Sequence, residues 1–202
     1  MNNLFLWQIH TVYLIFYKIY IIINVKILWE RLTMKILVVV DMQVDFITGS
    51  LGSEQAQAIV PNVVDKVKNF DGVVLFTRDT HSEDYLSTQE GRKLPVKHCI
   101  KNTDGWQLCN ELRPYVKTVV DKETFGSMDL PQTIKNLGAD IEKIEICGLC
   151  TDICVISNAM ILKAAFPEVS IAVDSSCCAG VSEESHNTAL DAMKAVQIEI
   201  EK

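Results

Sequence analysis

The chain has 202 residues, 49 % of them apolar and 22 % charged, and carries a formal charge of −7. That length suits one ordinary domain with a substantial core, and the apolar content excludes a disordered chain. The acidic balance disfavours nucleic acid and anionic membrane surfaces as partners and is silent about small molecules.

Residues 1–33 read as an apolar N-terminal extension. From Leu4 to Trp29 the chain is dominated by Leu, Ile, Val, Phe and Tyr, interrupted by His10, Lys18, Asn24 and Lys26. A membrane span needs about 20 such residues. The two lysines would each cost roughly 2.5–3.5 kcal/mol near the bilayer centre. A signal peptide fits poorly, because no charged region precedes the apolar run and no small-residue cleavage site follows it. A misassigned start is the preferred expectation, ahead of a real anchor or a soluble extension. Met34 leads straight into Lys-Ile-Leu-Val-Val-Val-Asp, and the Trp29-Glu30-Arg31 codons are compatible with a purine-rich ribosome-binding site. Membrane association is expected only if the extension is genuine.

Residues 34–201 alternate short apolar runs with helical patterns. The runs lie at 36–41, 73–78, 118–121, 143–147 and 169–174, with a sixth at 196–200. They are rich in Val and Ile without clear alternation, as in strands buried on both faces. Amphipathic stretches at 59–70, 130–137, 154–165 and 183–194 separate them. This alternation predicts an α/β domain of three α/β/α layers, with a parallel, doubly wound sheet of five to six strands. The irregular stretch 79–106 is too long for a mere connection and is expected to be functional.

Ligands of open parallel sheets bind beyond the carboxyl ends of the strands. The first run ends in Asp41, the second in Arg78-Asp79-Thr80-His81, the third in Asp121-Lys122. The fourth leads into Gly148-Leu149-Cys150-Thr151-Asp152-Ile153-Cys154. An acid, a candidate metal pair, a lysine and a thiol thus arrive at one edge. If a helix starts near Thr151 or Asp152, Cys154 sits in its first turn, where free N–H groups favour thiolate and could hold an oxyanion. The bland alternatives are a buried structural cysteine, a capping Asp41 and a solvated Lys122. Asp79 and His81 fall on one side of an extended segment. With Glu90 and His98 they make a donor set suited to zinc, iron or manganese, against the reading of ordinary loop polar groups.

The seven cysteines, at 99, 109, 147, 150, 154, 177 and 178, show no spacing of a disulfide framework. Free thiols in a cytoplasmic, reducing compartment are expected, with Cys109, Cys147, Cys177 and Cys178 as small buried apolar residues. A thiol redox role for Cys150 and Cys154, or for Cys177-Cys178, lacks the usual two-residue spacing. Neither GxGxxG nor GxxxxGK[ST] occurs, so nucleotide binding through a glycine loop has no support.

Three segments together resemble the isochorismatase-like cysteine hydrolases: Val39-Val40-Asp41-Met42-Gln43-Val44-Asp45-Phe46, Asp121-Lys122-Glu123-Thr124-Phe125-Gly126-Ser127 and Cys147-Gly148-Leu149-Cys150-Thr151-Asp152-Ile153-Cys154-Val155. They occur in the family's order, and the resemblance covers nearly all of residues 34–200. It implies a catalytic triad of Asp41, Lys122 and Cys154. It also implies a cis peptide between Leu149 and Cys150, with an oxyanion hole from the N–H groups of Cys150 and Cys154. Within the superfamily, Asp79, His81, Glu90 and His98 resemble the metal set of nicotinamidases, which implies hydrolysis of a small-molecule amide. Phe46, Leu94 and Leu149 would then contact the substrate. Two departures bear on that pocket: Leu94 stands where nicotinamidases carry an aromatic residue, and one residue is inserted before His98. Other amide or carbamoyl hydrolases of the superfamily are the alternative reading. Assembly into a homo-oligomer is an expectation by analogy.

Overall fold

The computed structural model describes residues 17–21 and 33–202. Residues 17–21 form a short exposed helical piece. The rest of the apolar extension, and with it the expectation of a misassigned start, lies outside the described residues. Among the described residues no helix is long and apolar enough to cross a membrane.

Six strands form one parallel sheet: β1 Thr33–Val40, β2 Val73–Asp79, β3 Val119–Lys122, β4 Asp140–Leu149, β5 Ser170–Ala179 and β6 Glu199–Glu201. Their spatial order is β3-β2-β1-β4-β5-β6. The main helices are α1 Glu54–Asn69, α2 Asp129–Lys135, α3 Ile156–Ala165 and α4 Glu183–Ala195. They cover both sides of the sheet, which gives the expected three-layer, doubly wound architecture.

The apolar runs explain themselves once the layers are in place. Ile36 to Val40 are all fully buried, because helices remove solvent from both faces of a central strand. Helix α1 starts at Ser53, whose side chain accepts from the Ala56 N–H, and turns Ile59, Val63 and Val67 inward at helical spacing. Helix α4 starts with a capping box between Ser182 and Ser185.

The winding direction reverses between β1 and β4, so the crevice beyond their carboxyl ends is the natural ligand site. Val40 pairs with Gly148 there. Gly148 has φ +116°, and a Cβ on it would lie 2.1 Å from the Val40 carbonyl oxygen. Only glycine permits that approach.

Helix α1 starts five residues earlier than expected and β4 is longer at both ends, and three further elements differ more. Strand β5 runs on to Ala179 rather than stopping at 174, with a shift in register: Ile146 pairs with Val173, but Gly148 pairs with Cys178. The last strand occupies Glu199–Glu201 rather than 196–200. The helix expected at 154–165 begins instead as a π-helical turn, Thr151–Val155, before α3 proper.

Candidate active site

Asp41 follows β1 with φ 49°, a left-handed conformation that Asp tolerates better than most residues. The turn directs its carboxylate inward, where it is fully buried. Oδ1 accepts a 2.7 Å hydrogen bond from the Thr77 hydroxyl on β2. Oδ2 lies 2.6 Å from Lys122 Nζ but has no aligned hydrogen-bond donor, so that contact is chiefly Coulombic. Lys122, the last residue of β3, also lies 3.3 Å from Asp79 Oδ1, donates to the Thr124 carbonyl at 3.1 Å and stands 3.5 Å from Cys154 Sγ. The three residues expected to act together therefore meet around one ammonium group.

Burial and neighbouring charges shift all three groups. Burial raises the Asp41 carboxyl above its ordinary range, against the lowering pull of Lys122. Burial opposes the charge on Lys122, yet Asp41, Cys154 and Asp79 outweigh it and hold the ammonium protonated. Burial pushes the Cys154 thiol well above its usual value, with Asp41 adding to the shift and Lys122 opposing it. Burial thus works against the thiolate that a helix N-terminus would favour, while Lys122 works for it. Cys154 lies in the π-helical turn rather than the first turn of an α-helix, and loss of hydration dominates. Cys150 is a poorer nucleophile than its surface counterparts, since burial lifts its thiol to about 12.

The second group is built on the segment that leaves β2. Asp79 ends the strand, His81 follows two residues later, Glu90 lies in the short helix Gln89–Lys93, and His98 precedes Cys99. One ligand atom from each lies within 4.8 Å of all the others. His81 Nε2 is 2.7 Å from Asp79 Oδ2 and 3.6 Å from Glu90 Oε1. His98 Nε2 is 3.5 Å and 3.9 Å from the same two oxygens. His98 Nδ1 sits 2.8 Å from the Val96 carbonyl, which can only accept, so Nδ1 carries a proton and Nε2 is the ring nitrogen that faces the cluster. His81 Nε2 is buried without an aligned hydrogen-bond partner. Two imidazoles and two carboxylates converging on one point fit a divalent cation. Asp79 stays ionised: burial raises its carboxyl, but His81, His98 and Lys122 together carry it far below the usual range.

Both groups border one cavity of about 400 Å³, whose lining includes Asp79, Glu90, His98, Cys150 and Cys154 together with Phe46, Leu94 and Leu149. Asp41, Lys122 and His81 stand behind this lining. The described lining contains no lysine or arginine. The Leu149–Cys150 peptide is cis.

Sequence reasoning missed the residues that hold these groups in place. Thr77 carries no motif signal, yet it is the hydroxyl on Asp41. Asn158 donates to the Cys154 carbonyl at 2.8 Å and the Phe125 carbonyl at 3.1 Å, and accepts from the Ser127 N–H at 2.9 Å. It ties the nucleophile turn to the segment after Lys122. Its position four residues after Cys154, one helical turn on, was the available clue. Tyr85 is fully buried against both imidazoles, with ring centroids 4.6 Å from His81 and 4.9 Å from His98, and its hydroxyl donates to the Leu94 carbonyl at 3.0 Å. Phe125 adds a second aromatic side chain to the cavity.

Comparison with known proteins identifies the family. The isochorismatase domain profile matches residues 35–202. An uncharacterised isochorismatase-family protein, PncA, of Bacillus subtilis is 28 % identical over 172 residues, covering 77 % of this chain and 92 % of that protein. The nicotinamidase of Saccharomyces cerevisiae is 32 % identical over 123 residues, covering 44 % of this chain and 56 % of the yeast protein. The crystal structure of a Pyrococcus horikoshii pyrazinamidase in complex with zinc superposes with a TM-score of 0.70 at 26 % identity, over 83 % of this chain and 98 % of that one. With a domain match along almost its entire described length, the chain belongs to the isochorismatase family.

Proposed function

We propose that this isochorismatase-family hydrolase is a cysteine amidohydrolase that converts nicotinamide to nicotinate and ammonia. The reading rests on one observation: Asp41, Lys122 and Cys154 meet beside a cavity that Asp79, Glu90 and His98 also line. The nicotinamidase and pyrazinamidase among its relatives support it.

In the proposed reaction the Cys154 thiol gives its proton to Asp41 as sulfur attacks the amide carbonyl and the C–S bond forms. Lys122 keeps the passing negative charge on sulfur and carboxylate stable. The N–H groups of Cys150 and Cys154 receive the oxyanion. Asp41 returns the proton to the amide nitrogen, the C–N bond breaks, and ammonia leaves a thioester behind. Water then gives a proton to Asp41 and attacks the thioester. The acid departs and the thiol is restored. Phe46 stacks on the ring, with Leu94 and Leu149 as its apolar neighbours. Zinc held by Asp79, His81, Glu90 and His98, or iron or manganese in its place, would supply Lewis-acid anchorage for the pyridine nitrogen.

The lining favours a neutral amide over an N-carbamoyl amino acid. The latter carries a carboxylate, and the described lining sets two acidic side chains against that charge with no lysine or arginine to balance them. Ammonia release from nicotinamide, compared with release from ureido acids, tests the assignment. Turnover of nicotinamide is expected to dominate and to fall by at least about a thousandfold in Cys154→Ala, with an unchanged thermal melt. Robust activity in that variant would remove Cys154 as nucleophile. Ureido turnover without nicotinamide turnover would shift the substrate class.

A further inference from the structure

The 28 residues from Asp79 to Trp106 carry all four candidate metal ligands, yet the loop has little regular structure of its own. Its ends meet at one buried side chain. Gln43, fully buried just after β1, accepts the Asp79 N–H through Oε1 at 2.7 Å. Its Nε2 donates to the Asp79 carbonyl at 2.8 Å and to the Trp106 carbonyl at 2.8 Å. An amide side chain that both donates to and accepts from one residue's backbone acts as a peptide group would, fixing that residue as an added strand partner would. Here that residue is Asp79.

The surrounding backbone completes the grip. The returning limb of the loop lies along the segment after β1: Gln43 bridges Leu108 in antiparallel fashion, Val44 N–H donates to Gln107, and Asp45 N–H donates to Gly105. The Asp45 carboxylate accepts the Cys99 N–H at 2.7 Å, beside His98. The Trp106 indole donates to the Thr80 hydroxyl at 2.8 Å, between Asp79 and His81. Without the Gln43 amide, the Asp79 N–H and two buried carbonyls would lose these partners.

We propose that Gln43 is a positioning residue that clasps the two ends of this loop and thereby sets the geometry of the metal ligands. It touches neither substrate nor metal; it acts through the backbone of Asp79. The inference rests on the four-ligand metal reading. Its premise is that a cation site tolerates little displacement of its ligands, so that supporting hydrogen bonds govern affinity about 10- to 100-fold.

The test is zinc affinity of the full chain, measured by chelator competition in the wild type, Gln43→Met and Gln43→Glu, with Leu190→Ala in α4 as a destabilised control away from the loop. Gln43→Met preserves bulk and removes all three hydrogen bonds. Gln43→Glu keeps the acceptor for the Asp79 N–H and sets oxygen against the two carbonyls. Both variants are expected to bind zinc at least about 10-fold more weakly than the wild type, whereas the control binds normally. If Gln43→Met does not fold, Gln43→Glu alone decides the matter. Wild-type affinity in the folded variant would overturn the clasp while leaving the metal site intact. An equal loss in Leu190→Ala would also overturn it, since the effect would then track stability. A wild type that binds no zinc would overturn the metal reading itself, and the clasp with it.

Discussion

Lys122 is the residue on which the proposed chemistry balances. It is buried at the end of β3, with two carboxylates and a thiol around its ammonium. Removing one member of a buried ion pair leaves the other charge without compensation, at a cost of about 3–5 kcal/mol. Lys122→Met should therefore lose both activity and stability, because Asp41 is stranded in a dry site. Asp41→Asn in the same background removes the stranded charge. The double variant is expected to regain most of the lost stability and none of the activity. Urea melts and ammonia assays on the four members of this cycle check the prediction. Strictly additive losses would mean that the 2.6 Å contact contributes nothing to either property.

At the scale of elements, the parts that position the site were unevenly legible. The unbroken Val and Ile run of β1 announced a central strand, and Asp41 at its end announced a buried carboxylate in need of a partner. Strand β5 outruns its apolar run because Asp174-Ser175-Ser176 interrupts the apolar pattern. In the structure these residues occupy the register shift, and the ladder resumes at Cys178. The π-helical turn around Cys154 carries no sequence pattern distinct from an α-helical start. The roles of Gln43 and, apart from its spacing to Cys154, of Asn158 leave little trace in the sequence for a related reason. Their roles depend on partners 36 and 31 residues away, and an isolated amide residue shows nothing of where its hydrogen bonds go.

The same polar break in β5 has a structural role that pH can reveal. Lys66 on α1 lies 2.7 Å from Glu145 of β4 and 2.9 Å from Asp174 of β5. Burial raises both carboxyls, but Lys66 outweighs it and lowers both. With folded values below unfolded ones, the unfolded chain binds more protons. The stabilisation is therefore present above the ordinary carboxylate range, near about 4, and disappears as pH falls through the lowered values. The groups are only partly shielded, so the contribution should lie between the ~1 kcal/mol of a surface pair and the ~3–5 kcal/mol of a buried one. Lys66→Met should be less stable than the wild type at neutral pH. The two are expected to converge in urea melts once pH falls below the lowered carboxyl values. A constant difference across that range would show that the lysine stem, not its charge, ties α1 to the sheet.

On the scale of the whole molecule, the site exists only because the winding direction reverses. Asp41, Asp79, Lys122 and Cys154 leave four different strands, and the order β3-β2-β1-β4 brings those strand ends side by side. The ligand set spans Asp79 to His98 and is assembled by the same folding event. An ion held there would bind the native chain far better than the unfolded one, so it would add directly to native stability. At a free metal concentration about 100 times the dissociation constant, linkage adds about 2.7 kcal/mol. For a chain of this size each kcal/mol moves the melting temperature by about 2–4 °C, which gives a shift of roughly 5–11 °C. Stripping the metal with chelator should lower the melting temperature by that amount, and adding back zinc should restore it. His98→Ala should melt low and show no response to either treatment. An equal response in His98→Ala and the wild type would place the stabilising ion elsewhere on the protein, because a site that has lost one of four converging ligands cannot keep its full affinity.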